Sequence, residues 1–403
     1  MGEKGYKIII LISVIAIFMG IIGLFNARQS DIKDIEIDSI VKSIKEGSAL
    51  VFDEVPVKDK ADDLQVLRTF VPYGYEVESN INWTLTSYIY PAEASFYAYS
   101  KDEGKHLYFF STKEYIEPLD ENTADVFGGK LLSYNTKPYT GAQAYLIEKL
   151  KEINSNASNI SIVKEEAFTK EEISNMQKIV NETARNIDIL LSPDEENEDD
   201  EHGYVKIEET LVEPASIIFE FEDNGKKYNQ QMSTILTSII VVHKNKSGEI
   251  HRERLWASVA VYGYKAESSV FNENDDIYKI FIMNTAIDQR WLTALSRVRR
   301  EVFFPKEGSD ATVEDMKRMA PEVVKKAYFD EKGEFKSGHD LMRSMVDMWD
   351  FFNKDMIKYL YLGDTNLLIP SKYSEAYYSD EHHVYIGTKH IDLPYEWNEM
   401  VVD

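Results

Sequence analysis

The stretch "IHRERLWASVAVYGY", residues 250–264, decides the fold class. Its second half alternates between two sets of side chains, as a strand with two different faces does. The two predicted faces are Leu255, Ala257, Val259 and Val261 on one side, and Trp256, Ser258, Ala260 and Tyr262 on the other. The pattern predicts one long strand.

The residues before this strand supply its partners. Ser216–Phe221 has the composition of a strand, and Tyr228–His243 is largely apolar towards its end. Asn224-Gly225 between them is a strong signal for a two-residue hairpin turn. Ser247-Gly248 marks a second turn before residue 250. Strand, turn, strand, turn, strand predicts an antiparallel sheet.

Further strands are predicted upstream. Trp83–Tyr90, Ser95–Tyr99 and His106–Phe110 are aromatic and β-branched runs separated by proline or glycine. Ile160–Val163 is a short run of the same kind.

Helices alternate with these strands. Thr140 with Gln143, and Thr169 with Glu172, have the spacing of a capping box at a helix start. Apolar residues recur at helical spacing in three places: Ile173, Met176, Val180 and Ile187; Ile277, Ile280, Phe281 and Asn284; and Trp291, Leu295 and Val298. We therefore predict an α+β fold, with an antiparallel sheet packed against helices.

The N-terminal region predicts a membrane anchor. Ile8–Phe25 contains 18 residues without a charge, and a helix of this length spans ~27 Å, close to the hydrocarbon thickness of a bilayer. Phe25-Asn26-Ala27 is a poor cleavage site because signal peptidase prefers small residues. We expect an uncleaved anchor with the seven-residue tail inside and the main domain outside the cytoplasm, since the tail is short and basic and the domain that follows is large. The flanking basic residues are Lys4 and Lys7 before the span, and Arg28 and Lys33 after it.

Composition excludes several classes of function. The net charge of −25 repels phosphate backbones and anionic lipid headgroups, so nucleic-acid binding is not expected. The absence of cysteine excludes zinc ribbons, iron–sulfur clusters, thiol catalysis and disulfides.

The sequence predicts four regions. They are a tail and transmembrane anchor (1–28), a juxtamembrane stalk (29–65), an α+β domain (66–305) and a C-terminal extension of helices and a β-hairpin (306–403). Within the extension, Ser337 and Asp340 are predicted to cap a helix. The apolar stripe of that helix is Leu341, Met345, Met348, Trp349, Phe352, Met356 and Tyr359.

Asp380–Trp397 is the stretch that most resembles a chemical site, with three of the eight histidines. His382 and His383 are neighbours in a predicted strand, so they point to opposite faces and cannot bind one metal ion without distortion. A metal site would need His390 to join one of them, with Asp392 or Glu381 as a third ligand. The alternative, which we favour, is a polar pair of strands. No catalytic or cofactor-binding residue is predicted.

Other motifs are absent or uninformative. The sequence has no Gly-x-Ser-x-Gly, no Walker A and no Gly-x-Gly-x-x-Gly. Asp194–Glu201 is acidic at seven of eight positions but lacks the spacing of an EF-hand, which favours a solvated loop over a calcium site.

The order of elements resembles that of PsbP-like extracytoplasmic domains over residues 66–305. The segments that carry this resemblance are "FGGKLLSYNTKPYTGAQAYLIEKL" (127–150), "ISIVKEEAF" (160–168), "LWASVAVYGYKA" (255–266) and "QRWL" (289–292). The resemblance implies an α+β sandwich with a binding or assembly role, and it supplies no site residues.

These observations favour a non-enzymatic binding or scaffold protein at the cell membrane. Its single N-terminal helix would hold it in the membrane, and its partner would be a protein of the cell envelope. The alternative is an extracytoplasmic hydrolase or metal-dependent enzyme that uses His382, His383 and His390. A chaperone-like subunit that holds another envelope protein is a third hypothesis. No cofactor is predicted.

Overall fold

The computed structural model describes residues 48–59, 65–83, 92–101, 104–120, 135–191, 204–244, 249–273, 275–288, 291, 356–361, 365–379, 383–388 and 397–402. No helix in these ranges is long and apolar enough to cross a membrane. The predicted anchor Ile8–Phe25, the acidic run Asp194–Glu201 and the turn at Ser247-Gly248 lie outside them.

The described residues form a sheet-rich α+β structure, in agreement with the predicted class. Its strands are β1 (Ala49–Lys58), β2 (Gln65–Pro72), β3 (Glu76–Trp83), β4 (Ala92–Tyr99), β5 (His106–Phe110), β6 (Lys113–Pro118), β7 (Ser158–Glu165), β8 (Tyr204–Asp223), β9 (Lys226–Lys244), β10 (Ile250–Glu267), β11 (Ala286–Ile287), β12 (Met356–Tyr361), β13 (Thr365–Pro370), β14 (Glu375–Ser379), β15 (His383–Gly387), β16 (Trp397–Glu399) and β17 (Val401–Val402). Its helices are α1 (Ala142–Ile153), α2 (Lys170–Leu191) and α3 (Asp276–Asn284).

The predicted meander is confirmed and forms the centre of an eight-stranded antiparallel sheet. The strand order is β3-β4-β5-β10-β9-β8-β7, and β6 also pairs with β10. Asn224 and Gly225 both have positive φ, 51° and 78°, as a two-residue hairpin turn of this sequence requires. Asp223 pairs with Lys226 across that turn.

A β-bulge in β10 corrects the predicted faces of this strand. Ser258 lies opposite Leu236, but Val261 lies opposite Thr234, so β10 has one extra residue. Trp256 therefore packs on one face of the sheet, whereas Tyr262, predicted on the same face, packs on the other.

Buried hydroxyl groups stabilise the bulge. Thr234 Oγ1 donates to the carbonyl of Ala260 (2.8 Å), and Thr112 Oγ1 donates to the carbonyl of Val259 (2.6 Å). Ser258 Oγ and Thr234 Oγ1 are 3.0 Å apart and share a further hydrogen bond. These bonds satisfy backbone groups that the irregular ladder leaves unpaired. The bulge lies where β10 changes partner from β6 to β5.

A six-stranded sheet combines strands from distant parts of the chain in the order β11-β2-β1-β15-β14-β16. Strand β1 falls in the range 29–65 that was expected to be a stalk, yet it lies inside this sheet. Its neighbour on one side is β15 from the C-terminal range 306–403, with Asp53 opposite His383.

The main core combines residues of both sheets with residues of α3, which is consistent with the predicted sandwich. Ile280 and Phe281 of α3 are buried in it, and Phe281 stacks on Phe96 at 6.0 Å between ring centroids. Its largest fully buried members are Phe52, Leu67, Phe70, Phe96, Phe109, Tyr264, Phe281 and Trp291. The C-terminal range contributes Leu367, Ile369, Tyr373, Ala376, Val384, Ile386 and Met400 to the same core.

A second cluster, the helix core, lies on the opposite face of the eight-stranded sheet, under α1. Its members are Ala142, Tyr145, Leu146 and Leu150 of α1 with Ala215, Ile217, Phe219, Phe221, Met232, Leu236, Trp256 and Val261 of the strands. The sheet is therefore covered on both faces, which explains why β10 is buried over most of its length.

The two predicted capping boxes have different outcomes. At α2 the box is confirmed, because the Thr169 amide donates to Glu172 (2.7 Å) and the Glu172 amide donates to Thr169 Oγ1 (3.2 Å). At α1 the predicted box is wrong, since the N-cap is Gly141 without a side-chain bond. Glu213 of β8 supplies the acceptor instead, at 2.8 Å from the amide nitrogen of Ala142.

The last part of the helix predicted in the C-terminal extension is a strand in the structure. Met356 and Tyr359 were placed on a helical stripe, but both lie in β12, which pairs with β13 over its full length. The physical reason is competition, because "MIKYLY" is rich in residues that favour strands and finds a partner only a few residues later. The other stripe residues lie outside the described part of the chain.

Gly387→Ala should destabilise the six-stranded sheet by about 1–3 kcal/mol, because it overpacks a closed site. A Cβ at Gly387 would lie 2.5 Å from Tyr385 Oη and 2.9 Å from its Cε1. Tyr385 is only 1% exposed, so its ring has little room to move. Urea denaturation measures the loss. In a Tyr385→Phe background the loss should be smaller, and equal losses in both backgrounds would contradict the contact.

Candidate functional site

Strand β4, "AEASFYAY", places its buried apolar side chains on one face and its polar and tyrosine side chains on the other. Ala92, Ala94, Phe96 and Ala98 are buried in the main core, while Glu93, Ser95, Tyr97 and Tyr99 are half-buried on the opposite face. Successive side chains of a strand point to opposite faces, so this alternation places rings and polar groups together beside α1.

Five rings continue this face across β4 and β5, and we call them the ring ladder: Tyr97, Tyr99, His106, Tyr108 and Phe110. Tyr99, His106 and Tyr108 are nearly parallel, with centroid separations of 6.1 Å and 6.2 Å. Tyr97 meets both Tyr108 and Phe110 edge to face, each at 5.5 Å. Edge-to-face contact is a favourable arrangement for aromatic pairs, so the rings hold each other in place.

Gly263 of β10 makes room for Tyr108, a ladder residue of β5. It lies opposite Tyr108 in the sheet, and a Cβ there would be 3.2 Å from Tyr108 Cδ2. This is a tight contact for a carbon pair. The glycine therefore allows the ring of Tyr108 to lie close over the backbone of β10.

Tyr99 of the ladder is held in place by Glu76 of the neighbouring strand β3. Tyr99 Oη donates to Glu76 Oε2 at 2.6 Å, and Lys101 also pairs with Glu76. The hydrogen bond to Glu76 is the main reason that the pKa of Tyr99 is raised to about 12. The bonds from Lys101 and then Tyr99 lower the pKa of Glu76.

Helix α1 borders the ladder with a lysine and a glutamate. Lys149 Nζ lies 4.1 Å from the ring centroid of Phe110 and 2.9 Å from Glu152 Oε1. Burial lowers the pKa of Lys149. Burial, and then the charges of Glu152 and Glu78, raise the pKa of Tyr97 to about 12. The phenols of the ladder therefore stay neutral at ordinary pH.

A second lysine, Lys265 of β10, lies beside the ladder, opposite His106. Lys265 Nζ donates to Asn154 Oδ1 (2.7 Å) and Asp223 Oδ2 (3.2 Å), and lies 4.3 Å from the ring centroid of Tyr228. Asn154 Nδ2 in turn donates to Gln230 Oε1 (3.0 Å). Burial lowers the pKa of Lys265, although the bond to Asp223 opposes that effect.

His106 is the ladder member whose pKa is lowered by its surroundings. It lies opposite Lys265 in the sheet. Burial, and secondarily the charge of Lys265, lower the pKa of His106 from 6.5 to about 4. The imidazole is therefore neutral in the folded protein over most of the physiological range.

Stability should decrease as the pH falls from about 6.5 towards about 4, because the unfolded chain binds a proton at His106 before the folded chain does. The variant His106→Phe keeps a ring between Tyr99 and Tyr108 but does not titrate. We expect its melting temperature to fall less than that of the wild type between pH 7 and pH 4.5. NMR titration of His106 gives a direct check, and a midpoint near its ordinary pKa would contradict the buried environment.

The ladder offers ring surfaces for packing beside carboxylates, ammonium groups and amides for hydrogen bonding. Such a combination is typical of a binding surface, where aromatic side chains supply contact area and a few polar groups orient the ligand. The two aromatic runs were predicted as strands. The alternation in "AEASFYAY" was the signal that their rings share one face.

Of the histidines proposed from the sequence, the described part of the chain contains His383. It is held by Asp53, whose Oδ1 is 2.6 Å from His383 Nδ1. The ring of Tyr73 meets it edge-on at 5.7 Å, and its amide donates to Ser379 Oγ at 3.3 Å. Asp53 was not predicted, because nothing in the sequence links residues 330 positions apart.

The rest of that cluster, His382 and His390 with Glu381 and Asp392, lies outside the described residues. Within the ranges that the structure describes, no three histidine, aspartate or glutamate side chains are grouped so that they could hold a metal ion.

Comparison with known proteins gives no further guide to the site. No family model matches the chain, and neither the curated proteins nor the solved structures contain a match.

Proposed function

We propose that this chain is a non-enzymatic binding or scaffold protein of the cell envelope. In this proposal Ile8–Phe25 anchors it in the membrane, and the sandwich is a PsbP-like domain with a C-terminal extension outside the cytoplasm. The ring ladder is the observation that carries the proposal. Two of its tyrosines, Tyr97 and Tyr99, are half-buried rather than closed off, and each is held by neighbouring rings or by a hydrogen bond. An ordered aromatic surface binds at low entropic cost, because its side chains are already fixed.

Charge supports an envelope partner over a nucleic acid. The chain carries −25, and a surface of that sign repels phosphate backbones. The orientation is tested by protease treatment of intact cells that carry a C-terminal tag. Cleavage of the tag from outside is expected, and protection of the tag would contradict the topology.

Binding is tested with the full chain in lipid nanodiscs, mixed with isolated cell envelope material and sedimented. We expect the wild type to sediment with the envelope. The double variant Tyr97→Ala/Tyr99→Ala should lose at least about tenfold in retention, while Tyr73→Ala, which changes an exposed tyrosine in the turn after β2, should not. Equal retention of all three proteins would contradict a binding role for the ladder.

A hydrolase is the second candidate, and the Asp53–His383 pair is the observation that favours it. A carboxylate that orients a histidine is a common part of a general-base arrangement. Assays of the full chain against ester, peptide, phosphate and glycoside substrates test it. Turnover that Asp53→Asn and His383→Ala both abolish would replace the binding proposal with this one.

A further inference from the structure

We infer that the ligand of the ring ladder is an uncharged saccharide chain. This inference rests on the proposed function and deepens it, because it names the chemical class that the ladder recognises.

The charges around the ladder are paired, and this favours a neutral ligand. Lys113 and Glu93 are 3.2 Å apart, Lys149 and Glu152 are 2.9 Å apart, and Lys265 and Asp223 are 3.2 Å apart. Lys101 also pairs with Glu76. Four carboxylates are therefore balanced by four lysines on a protein whose net charge is −25.

A cationic ligand gains little on such a surface, since each of these carboxylates already has a lysine beside it. An anionic ligand is repelled by the protein as a whole. Glu78, half-buried on β3 and opposite Tyr97, is a fifth carboxylate and adds a further hydrogen-bond acceptor. The ladder therefore has many polar groups, and apart from Glu78 their charges cancel in pairs.

The rings supply what a saccharide needs besides hydrogen bonds. One face of a pyranose carries mainly C–H bonds and packs on an aromatic ring, while its hydroxyl groups lie at the edge and bond to polar side chains. Tyr97 and Tyr99 are half-buried, and Glu78, Glu93 and Ser95 lie on the same face. The ladder thus places ring surfaces and acceptors side by side.

The surface formed by the ring ladder and the neighbouring residues of β3 is large enough for a chain of linked sugar rings, whereas a single small ion would cover little of it. It extends over β3, β4 and β5, and two strand spacings make roughly 10 Å. Glu76, Tyr99 and His106 lie side by side across these three strands. Tyr99 is fixed by its bond to Glu76, so it presents its ring in one orientation.

Isothermal titration of the full chain in nanodiscs with uncharged oligosaccharides tests the inference. The probes are gluco-, xylo- and chito-oligosaccharides of four to six units, with tetramethylammonium as a cationic comparison. At least one oligosaccharide should bind. Tyr97→Ala/Tyr99→Ala should weaken it by at least about tenfold, and Tyr73→Ala should not. Tyr99→Phe, which keeps the ring but loses the bond to Glu76, should weaken it by less. Circular dichroism and melting curves establish that each variant is folded.

Three outcomes overturn the inference. If no oligosaccharide binds but envelope material is still retained through Tyr97 and Tyr99, the ligand class is wrong and the proposed function stands. If tetramethylammonium binds in a ring-dependent way and the sugars do not, the ligand is a cation. If neither the sugars nor the envelope material depends on the rings, the proposed function fails as well.

Discussion

Replacing Trp256 with alanine should cost about 3–5 kcal/mol of folding stability, the range for a buried tryptophan. The side chain is 2% exposed and lies in the helix core. Its ring stacks on Tyr115 at 4.3 Å and meets Tyr145 and Tyr139 edge to face at 5.8 Å and 5.6 Å. Its Nε1 donates to the carbonyl of Lys137 at 2.9 Å. Alanine would leave a cavity and an unpaired carbonyl.

Trp397→Ala is the matched control for this substitution. Trp397 is half-buried in the three-residue strand β16 and packs against Tyr377 and Tyr385. We expect a loss below about 2 kcal/mol. Urea denaturation at constant pH compares the two variants. If Trp397→Ala cost as much as Trp256→Ala, the assignment of Trp256 to a closed core would be wrong.

Asn284→Ala should cost about 1–3 kcal/mol, because two part-buried backbone groups would lose their partner. Asn284 ends α3 and is 6% exposed. Its Oδ1 accepts from the amide of Leu368 (2.7 Å), and its Nδ2 donates to the carbonyl of Leu368 (2.8 Å). One side chain thus continues the hydrogen bonding of β13 and attaches the C-terminal strands to α3.

Hydrogen exchange distinguishes local detachment from general loss of stability. In Asn284→Ala the amide of Leu368 should exchange faster, while amides in the middle of β9 keep their protection. Asn80→Ala, an exposed asparagine of β3, should change stability by no more than about 0.5 kcal/mol. Unchanged exchange at Leu368 would show that Asn284 does not hold β13.

The central sheet was predictable because its signals are local. Asn224-Gly225 specifies its turn through two positive φ angles, and alternation on either side specifies the strands. The bulge in β10 was not predictable, since it depends on Thr234 of β9 and Thr112 before β6, which reach it only in the folded sheet. The same reason explains α1, whose cap comes from Glu213 in a different element.

In the candidate site, too, local patterns were predictable from the sequence and contacts between distant segments were not. The aromatic runs of β4 and β5 were visible as strands, but their pairing with Glu76 and Lys265 required the sheet order. His383 attracted notice because histidines cluster near it in the sequence. Its actual partner, Asp53, comes from the first described strand, and no spacing rule connects the two.

The position of β1 between β2 and β15 has a consequence for biosynthesis. Asp53 and His383 pair across 330 residues, and a ribosome needs roughly 15–65 s to add that many residues at ordinary rates. Until then, one edge of β1 has no strand to pair with, and closing so long a loop is slow. A bare edge is a template for pairing with another chain. Nascent copies made on neighbouring ribosomes are therefore most vulnerable to mispairing just before the final strands emerge.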